Sequence, residues 1–118
     1  MSVHLYGIPN CDTVKKARAW LDQRGVAYAF HDYKKEGADP GKLARWSEAA
    51  GWETLLNRRG TTFRALTESD KADIDRAKAL RLMQAHPSLI KRPVVEHPAG
   101  LLVGFDPAAW GEAFGAVG

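Results

Sequence analysis

Alternating apolar and polar positions at the start of the chain predict a strand over residues 2–6, which ends before Gly7. A helical spacing of apolar positions follows the next turn, and Gly25 is a natural stop for that helix. Alternation returns over residues 26–31 and predicts a second strand. The predicted helix buries one face, formed by Val14, Ala17 and Leu21. The first part of the chain therefore predicts a βαβ unit with a right-handed crossover.

Helical patterns replace strand patterns over residues 39–87. Asp39 followed by Pro40 is typical of a helix start, because the carboxylate caps free N–H groups and proline suits the first turn. Thr67 begins a second capping sequence, and a break in the helical pattern is expected near Ala77. This stretch is predicted to be a helical insertion.

Strand patterns return late in the chain, over residues 93–96 and 101–103, with a hairpin connection between them. Asp106 and Pro107 then repeat the pattern of a helix start. The predicted element order is βαβ, helical insertion, ββα. It indicates an α/β fold with a mixed sheet of about four strands, formed by residues 1–118 as one domain.

The composition is ordinary for a globular protein, with 45% apolar and 26% charged residues among 118. The net charge of +3 is mild and no nucleic-acid-binding motif is present, so we expect no nucleic-acid partner. Without a leader or a long apolar run, we expect a cytoplasmic protein with no membrane partner. The four histidines show no metal-ligand spacing, so no metal site is expected.

Cys11 is the only cysteine, and it lies at the predicted N-terminus of the first helix. Free N–H groups and the positive end of the helix dipole favour a thiolate there. Its neighbours Asn10, Asp12 and Thr13 are polar, which favours a nucleophile over a small buried hydrophobic residue. The pattern of strand, cysteine-bearing helix and late hairpin suggests a thioredoxin-like fold. The second position of a C-x-x-C motif is Val14, so another thiol would have to release a mixed disulfide.

Arg92 stands directly before Pro93 at the start of the returning strand. In a thioredoxin-like fold this X-Pro segment lies beside the nucleophilic cysteine, and its peptide bond is commonly cis. An arginine there could hold a carboxylate or oxyanion and favour the thiolate. The loop arginines Arg58 and Arg59 could supply a second clamp, although a solvated surface charge is the commoner role of an arginine.

Five segments, in order, resemble the ArsC/Spx (arsenate reductase-related) family and most closely its YffB-type branch: YGIPNCDTVKKARAWL, FHDYKKEG, LLNRRGTTFRAL, IKRPVV and LVGF. The resemblance covers essentially the whole chain and implies a thioredoxin-like fold with a helical insertion. It also implies a nucleophile at Cys11, an anion-binding Arg92, a loop arginine at Arg59 and glutathione as co-substrate, with no bound cofactor. The predicted catalytic residues are Cys11 and Arg92, and the predicted substrate-binding residues are Asn10, Thr13, Arg59 and Pro93.

The chain departs from the glutathione-coupled arsenate reductases of this family at three positions. Those enzymes carry a histidine at the position of Gly7, an arginine at that of Asn57 and another near Phe105. We therefore expect a glutathione-dependent thiol oxidoreductase, with glutathione as a partner and either glutathione or a glutaredoxin-like protein releasing Cys11. One alternative is a true arsenate reductase, in which other arginines (Arg58, Arg59 and Arg64) compensate. The other is a non-catalytic Spx-like regulator that docks on a protein, although Val14 removes the C-x-x-C switch that such regulators often carry.

Overall fold

A computed structural model describes residues 3–98 and 100–114 of the chain. The chain forms two compact units. The first unit combines Met1–Tyr33 with Arg92–Gly118, and the second unit is Lys34–Lys91. The second unit is thus continuous in sequence and inserted into the first. The single-domain organisation stays a prediction.

The first unit contains a mixed sheet of four strands in the order β2-β1-β3-β4. Strand β1 pairs in parallel with β2 and antiparallel with β3, and β3 pairs antiparallel with β4. The strands are β1 His4–Gly7, β2 Ala29–Asp32, β3 Val94–His97 and β4 Gly100–Val103. Helices α1 (Asp12–Gln23) and α8 (Pro107–Phe114) belong to the same unit. The predicted α/β thioredoxin-like fold with a sheet of four strands is confirmed.

One face of the sheet forms the core of this unit. Leu5 of β1 and Val95 of β3 are directly paired and completely buried. They cluster with Trp110 of α8 and with the buried face of α1, formed by Val14, Ala17, Trp20 and Leu21. Full burial of a valine or leucine side chain stabilises the fold by about 1.5–3 kcal/mol. The predicted apolar face of α1 is therefore correct, and Trp20 belongs to it.

The other face of the sheet carries a polar network that the sequence analysis did not find. The His4 Nδ1 and His31 Nε2 atoms are 2.9 Å apart, within hydrogen-bonding distance, and the Tyr6 hydroxyl donates to Glu96 Oε1 at 3.0 Å. The rings of Tyr6 and His31 stack with their centroids 4.6 Å apart. These contacts join β2, β1 and β3, and they favour one register of the three strands.

The second unit is helical. Its elements are α2 (Tyr33–Glu36, which begins on the last residue of the first unit), α3 (Pro40–Ala50), α4 (Trp52–Leu55), α5 (Thr61–Arg64), α6 (Glu68–Lys71), α7 (Arg76–Ala85) and a 3₁₀ turn (Pro87–Leu89). Side chains cap α3, α6 and α7, since Asp39, Thr67 and Asp75 accept hydrogen bonds from the backbone N–H groups of Lys42, Asp70 and Lys78. No described helix has the length and apolar character needed to cross a membrane.

Several of the predicted strand boundaries are wrong. The first strand extends to Gly7, which pairs with Asp32, and Ser2 lies outside the described residues. The second strand begins only at Ala29, because the N–H of Val26 donates to the carbonyl of Leu21 and so completes the end of α1. In the late hairpin, Ala99 lies outside the described residues.

Candidate active site

Three segments meet at one edge of the sheet in the first unit. Gly7 ends β1 and pairs with Asp32, which ends the parallel strand β2. Strand β3 runs the opposite way, and its first residue Val94 pairs with Tyr6 of β1. The residues that follow β1 and β2 and those that precede β3 therefore lie at the same edge. These are the turn that contains Cys11, then Tyr33, and finally Arg92 with Pro93.

Cys11 is the residue that caps the N-terminus of α1. Its backbone is extended, with φ −83° and ψ 126°, and its carbonyl accepts the first helical hydrogen bond from the Lys15 N–H at 3.0 Å. Its own N–H donates to the Ile8 carbonyl at 3.1 Å, which closes the turn after β1. The partly exposed thiol therefore lies beside the free N–H groups of the first turn of α1.

Opposing effects act on the pKa of the Cys11 thiol. Burial raises the pKa, but the Val14 N–H, a hydrogen bond from the Arg92 side chain and the Thr13 N–H lower it further than burial raises it. The positive charge of Arg92 acts in the same direction. The Cys11 sulfur does not make the side-chain capping hydrogen bond that a serine at a helix start makes. The amides of α1 therefore act on the thiol as nearby dipoles. The net result is a lowered pKa, which favours the nucleophilic thiolate.

Arg92 and Pro93 are fixed at the start of β3. The peptide bond between them is cis, as expected for an X-Pro segment beside the cysteine of a thioredoxin-like fold. Pro93 is fully buried, and its carbonyl accepts a hydrogen bond of 2.8 Å from the Gly104 N–H. Burial lowers the pKa of the half-buried Arg92, but its interactions with Cys11 and Tyr33 raise it more, so the guanidinium stays charged.

Tyr33 is a site residue that the sequence analysis missed. Only 2% of its surface is exposed, and its hydroxyl oxygen accepts a hydrogen bond from the Arg92 side chain. Burial raises the pKa of this phenol far above its ordinary value, so it is neutral. The signal in the sequence was its position two residues after the second predicted strand, because parallel strands end at the same edge of a sheet.

The other predicted site residues lie in different environments. Asn10 and Thr13 are exposed on either side of Cys11 in sequence, and the Thr13 N–H acts on the sulfur. Arg59 is exposed in the second unit, where its N–H donates to Asn57 Oδ1 at 3.1 Å. The part of Arg59 in substrate binding stays a prediction. Within residues 3–98 and 100–114, no three His, Cys, Asp or Glu side chains could together hold a metal ion.

A partly exposed thiol of lowered pKa beside a guanidinium is an arrangement suited to nucleophilic attack. The family model described as ArsC family matches residues 6–113 of the chain. The chain belongs to the ArsC family. This membership indicates a protein of the arsenate reductase-related kind.

Solved structures agree with this assignment. The structure of the YFFB protein is 57% identical, covers 97% of this chain and 100% of its own, and superposes with a TM-score of 0.93. An arsenate reductase (ArsC) related protein from Brucella melitensis is 54% identical over 97% of this chain and 95% of its own, with a TM-score of 0.76. The resemblance to the YffB-type branch is therefore confirmed.

Curated relatives extend the comparison to the regulators. An uncharacterized protein of Haemophilus influenzae is 39% identical over 112 residues, which cover 95% of this chain and 98% of the relative. The global transcriptional regulator Spx of Listeria innocua is 28% identical over 107 residues, which cover 88% of this chain and 80% of that regulator. This chain is thus similar both to a protein named as arsenate reductase related and to a protein named as a regulator.

Proposed function

We propose that this protein is a thiol oxidoreductase that uses Cys11 as its nucleophile and glutathione as its co-substrate. The observation that carries the proposal is the place of Cys11 at the N-terminus of α1, at the sheet edge where Arg92 precedes β3. There the hydrogen bond and the charge of Arg92 both lower the pKa of the thiol. Both features stabilise a negative charge on sulfur, which is the form that attacks disulfides.

The proposed cycle has two thiol–disulfide exchanges. The Cys11 thiolate attacks the glutathione sulfur of a mixed disulfide, forms a bond to it and releases the substrate sulfur as a thiolate, which takes up a proton. The thiolate of a second glutathione then attacks the glutathione sulfur bound to Cys11 and releases Cys11 as a thiolate. Substrate sulfur is reduced, and two glutathione molecules leave as one disulfide. Since the chain has a single cysteine, the second attack must come from another molecule, either glutathione or a glutaredoxin-like protein.

The charge and exposure around Cys11 fit a glutathionyl group. Glutathione carries carboxylates, and Arg92 is a cation able to hold one through two parallel hydrogen bonds. Asn10 and Thr13 are exposed beside Cys11 and can contact the peptide part of the ligand, and Pro93 lies next to Arg92 in the same segment. We place the cycle in the cytoplasm, because it consumes reduced glutathione.

The experiment is mass spectrometry of the intact protein after incubation with oxidised glutathione. We expect one glutathionyl adduct, mapped to Cys11, that disappears when reduced glutathione is added. Cys11→Ser is the matched control and should show no adduct. The absence of any adduct on the folded, unaltered protein would contradict the proposal.

Arg92→Ala is a sharper test of the clamp. Losing a charge-assisted bidentate contact should weaken substrate binding or transition-state stabilisation by about 1.5–3 kcal/mol, and Arg92→Lys should restore only part of that loss. The measurement is kcat/KM for a glutathione mixed disulfide. Arg18→Ala is the matched control, since Arg18 is a half-buried arginine of the same unit whose Nε donates to the Tyr28 hydroxyl. Equal losses in both variants would show that Arg92 has only a structural role.

The relationship to Spx favours one alternative of a different class, a regulator that acts by docking on a protein partner. Val14 argues against a thiol switch of the C-x-x-C type, because the second sulfur is absent and the position is completely buried in the core. Turnover at the background rate in both the unaltered protein and Cys11→Ser would favour this alternative.

A further inference from the structure

Tyr33 is placed by the sheet register at the edge that carries Cys11. It directly follows Asp32, which pairs with Gly7 at the end of β1, and the turn after Gly7 leads to Cys11. Arg92 reaches the same edge from the start of β3. Residues distant in sequence thus meet because two parallel strands end, and an antiparallel strand begins, at one edge.

The Tyr33 hydroxyl is a buried polar group with a defined partner. The side chain is 2% exposed, and a buried hydroxyl without a hydrogen bond would be costly. Its partner is the Arg92 side chain, which donates to the phenol oxygen. Arg92 also hydrogen-bonds to the Cys11 sulfur. One guanidinium therefore contacts a buried phenol and the partly exposed thiol.

We propose that Tyr33 is a positioning residue whose hydroxyl holds the Arg92 guanidinium against the Cys11 sulfur, an inference that rests on the proposed function. Arginine has a long side chain with many rotamers, so holding it in one place costs conformational entropy. Tyrosine has only two side-chain torsions, and burial restricts both of them. A rigid acceptor behind the guanidinium keeps the positive charge at the sulfur, where it favours the thiolate.

Tyr33→Phe removes the hydroxyl and keeps the ring, so it tests this role directly. We expect the midpoint of the pH dependence of Cys11 alkylation to rise by about half to one pH unit, which makes the thiolate about three- to tenfold scarcer below the midpoint. Tyr28→Phe is the matched control, because it removes a tyrosine hydroxyl bonded to a different arginine, Arg18, in the same unit. Its alkylation midpoint should stay at that of the unaltered protein.

A double-mutant cycle separates action through Arg92 from any other effect of Tyr33. In an Arg92→Ala background, Tyr33→Phe should leave the midpoint unchanged, because no guanidinium remains to be positioned. An equal rise in both backgrounds would overturn the proposal, as would an unchanged midpoint in Tyr33→Phe alone. A midpoint that is already ordinary in the unaltered protein would instead contradict the proposed function, so the two failures can be told apart.

The proposal also has a test that needs no substitution at Tyr33. A guanidinium held by both a phenol and a thiolate rotates slowly about its Nε–Cζ bond, so the Arg92 Nη protons should give separate NMR signals in the unaltered protein. The signals that disappear in the spectrum of Arg92→Lys are assigned to the Arg92 Nη protons. If Tyr33→Phe does not fold, separate Arg92 signals in the unaltered protein support the proposal and a single averaged signal overturns it.

Discussion

At the scale of single residues, the reactivity of Cys11 comes from a balance of burial, helix amides and one guanidinium. The position at a helix N-terminus could be predicted from sequence, because cysteine, polar neighbours and helical spacing are adjacent. The approach of Arg92 could be proposed only through the thioredoxin-like arrangement. Tyr33 was missed because no local pattern indicates that a buried tyrosine will contact an arginine that follows the inserted unit in sequence.

The lowered pKa of Cys11 predicts how stability depends on pH. Because the thiol has a lower pKa in the folded protein than in the unfolded chain, the unfolded chain binds more protons between the two values. The stabilisation from Cys11 is therefore complete above the ordinary thiol pKa and is lost as the pH falls through the lowered, folded-state value. We expect the difference in unfolding free energy between the unaltered protein and Cys11→Ser to grow with pH across that interval.

Chemical denaturation under reducing conditions, repeated at several pH values, measures this difference. Arg92→Ala should flatten the dependence, since Arg92 contributes to the lowered pKa through both its hydrogen bond and its charge. A difference that stays constant with pH, or that shrinks as pH rises, would contradict the lowered pKa.

Position 7 has no room for a side chain larger than that of glycine, because of a contact that the sequence does not reveal. A Cβ atom at position 7 would lie 2.8 Å from one methyl carbon of Val14 and 3.3 Å from the other. Val14 is completely buried and has no room to move away freely. We expect Gly7→Ala to destabilise the protein by about 1–3 kcal/mol through overpacking.

Val14→Ala removes both of the methyl carbons that clash, so the double variant should lose less stability than the sum of the two single variants. Unfolding free energies of the four proteins give the coupling. Gly111→Ala is the matched control, because a Cβ there meets nothing within 4 Å and the residue lies in α8 of the same unit. Simple additivity of the Gly7 and Val14 effects would show that the clash is relieved in some other way.

At the scale of elements, the helix starts were the most predictable features. Asp39 and Thr67 cap the helices for which they were predicted, because a cap is a local arrangement of one side chain and a nearby N–H. The break expected near Ala77 lies instead at residues 72–75, where Asp73 has a positive φ of 50° and Asp75 caps α7. The length of strand β2 was overestimated, because alternation alone does not show which residues pair with a neighbouring strand.

The cap of α7 can be tested by substitution. Asp75 accepts a hydrogen bond of 2.8 Å from the Lys78 N–H, and Asp75→Ala leaves that N–H without this partner. We expect a loss of about 1 kcal/mol in unfolding free energy. Glu48→Ala is the control, because it removes an equal charge from an exposed site in the same unit, inside α3 rather than at its cap. Equal effects of the two substitutions would mean that charge, not capping, is responsible.

At the scale of the whole molecule, the reactive group and its immediate partners all belong to one unit. Cys11, Tyr33, Arg92 and Pro93 lie in the unit that contains the sheet, whereas the loop arginines belong to the helical unit. The three positions at which this chain departs from the glutathione-coupled arsenate reductases that it resembles have other roles here. At Gly7, Val14 leaves no space for a side chain. The Asn57 side chain accepts a hydrogen bond from the Arg59 N–H.

Phe105, the third of these positions, is part of the aromatic core. Its ring meets those of Trp110 and Trp20 edge-on, at centroid distances of 4.9 and 6.4 Å. A charged ligand at that position would have to displace apolar packing. Such structural roles are distributed over both units, and they could not be recognised from sequence because each depends on a contact formed only after folding.

These roles lead to a prediction about arsenate. A multiply charged adduct on Cys11 needs several donors aimed at one point, and each donor that is missing can cost roughly a hundredfold in rate. Glutathione distributes its charge over separated carboxylates, so Arg92 and backbone groups can suffice for it. We therefore expect weak or absent arsenate reduction beside measurable turnover of a glutathione mixed disulfide. Both reactions are measured by coupled oxidation of a nicotinamide cofactor, with arsenate or the mixed disulfide as the only oxidant. Rapid, saturable arsenate reduction that Cys11→Ser abolishes would contradict this expectation, because it would mean that Arg92 and the remaining donors are enough to stabilise the oxyanion.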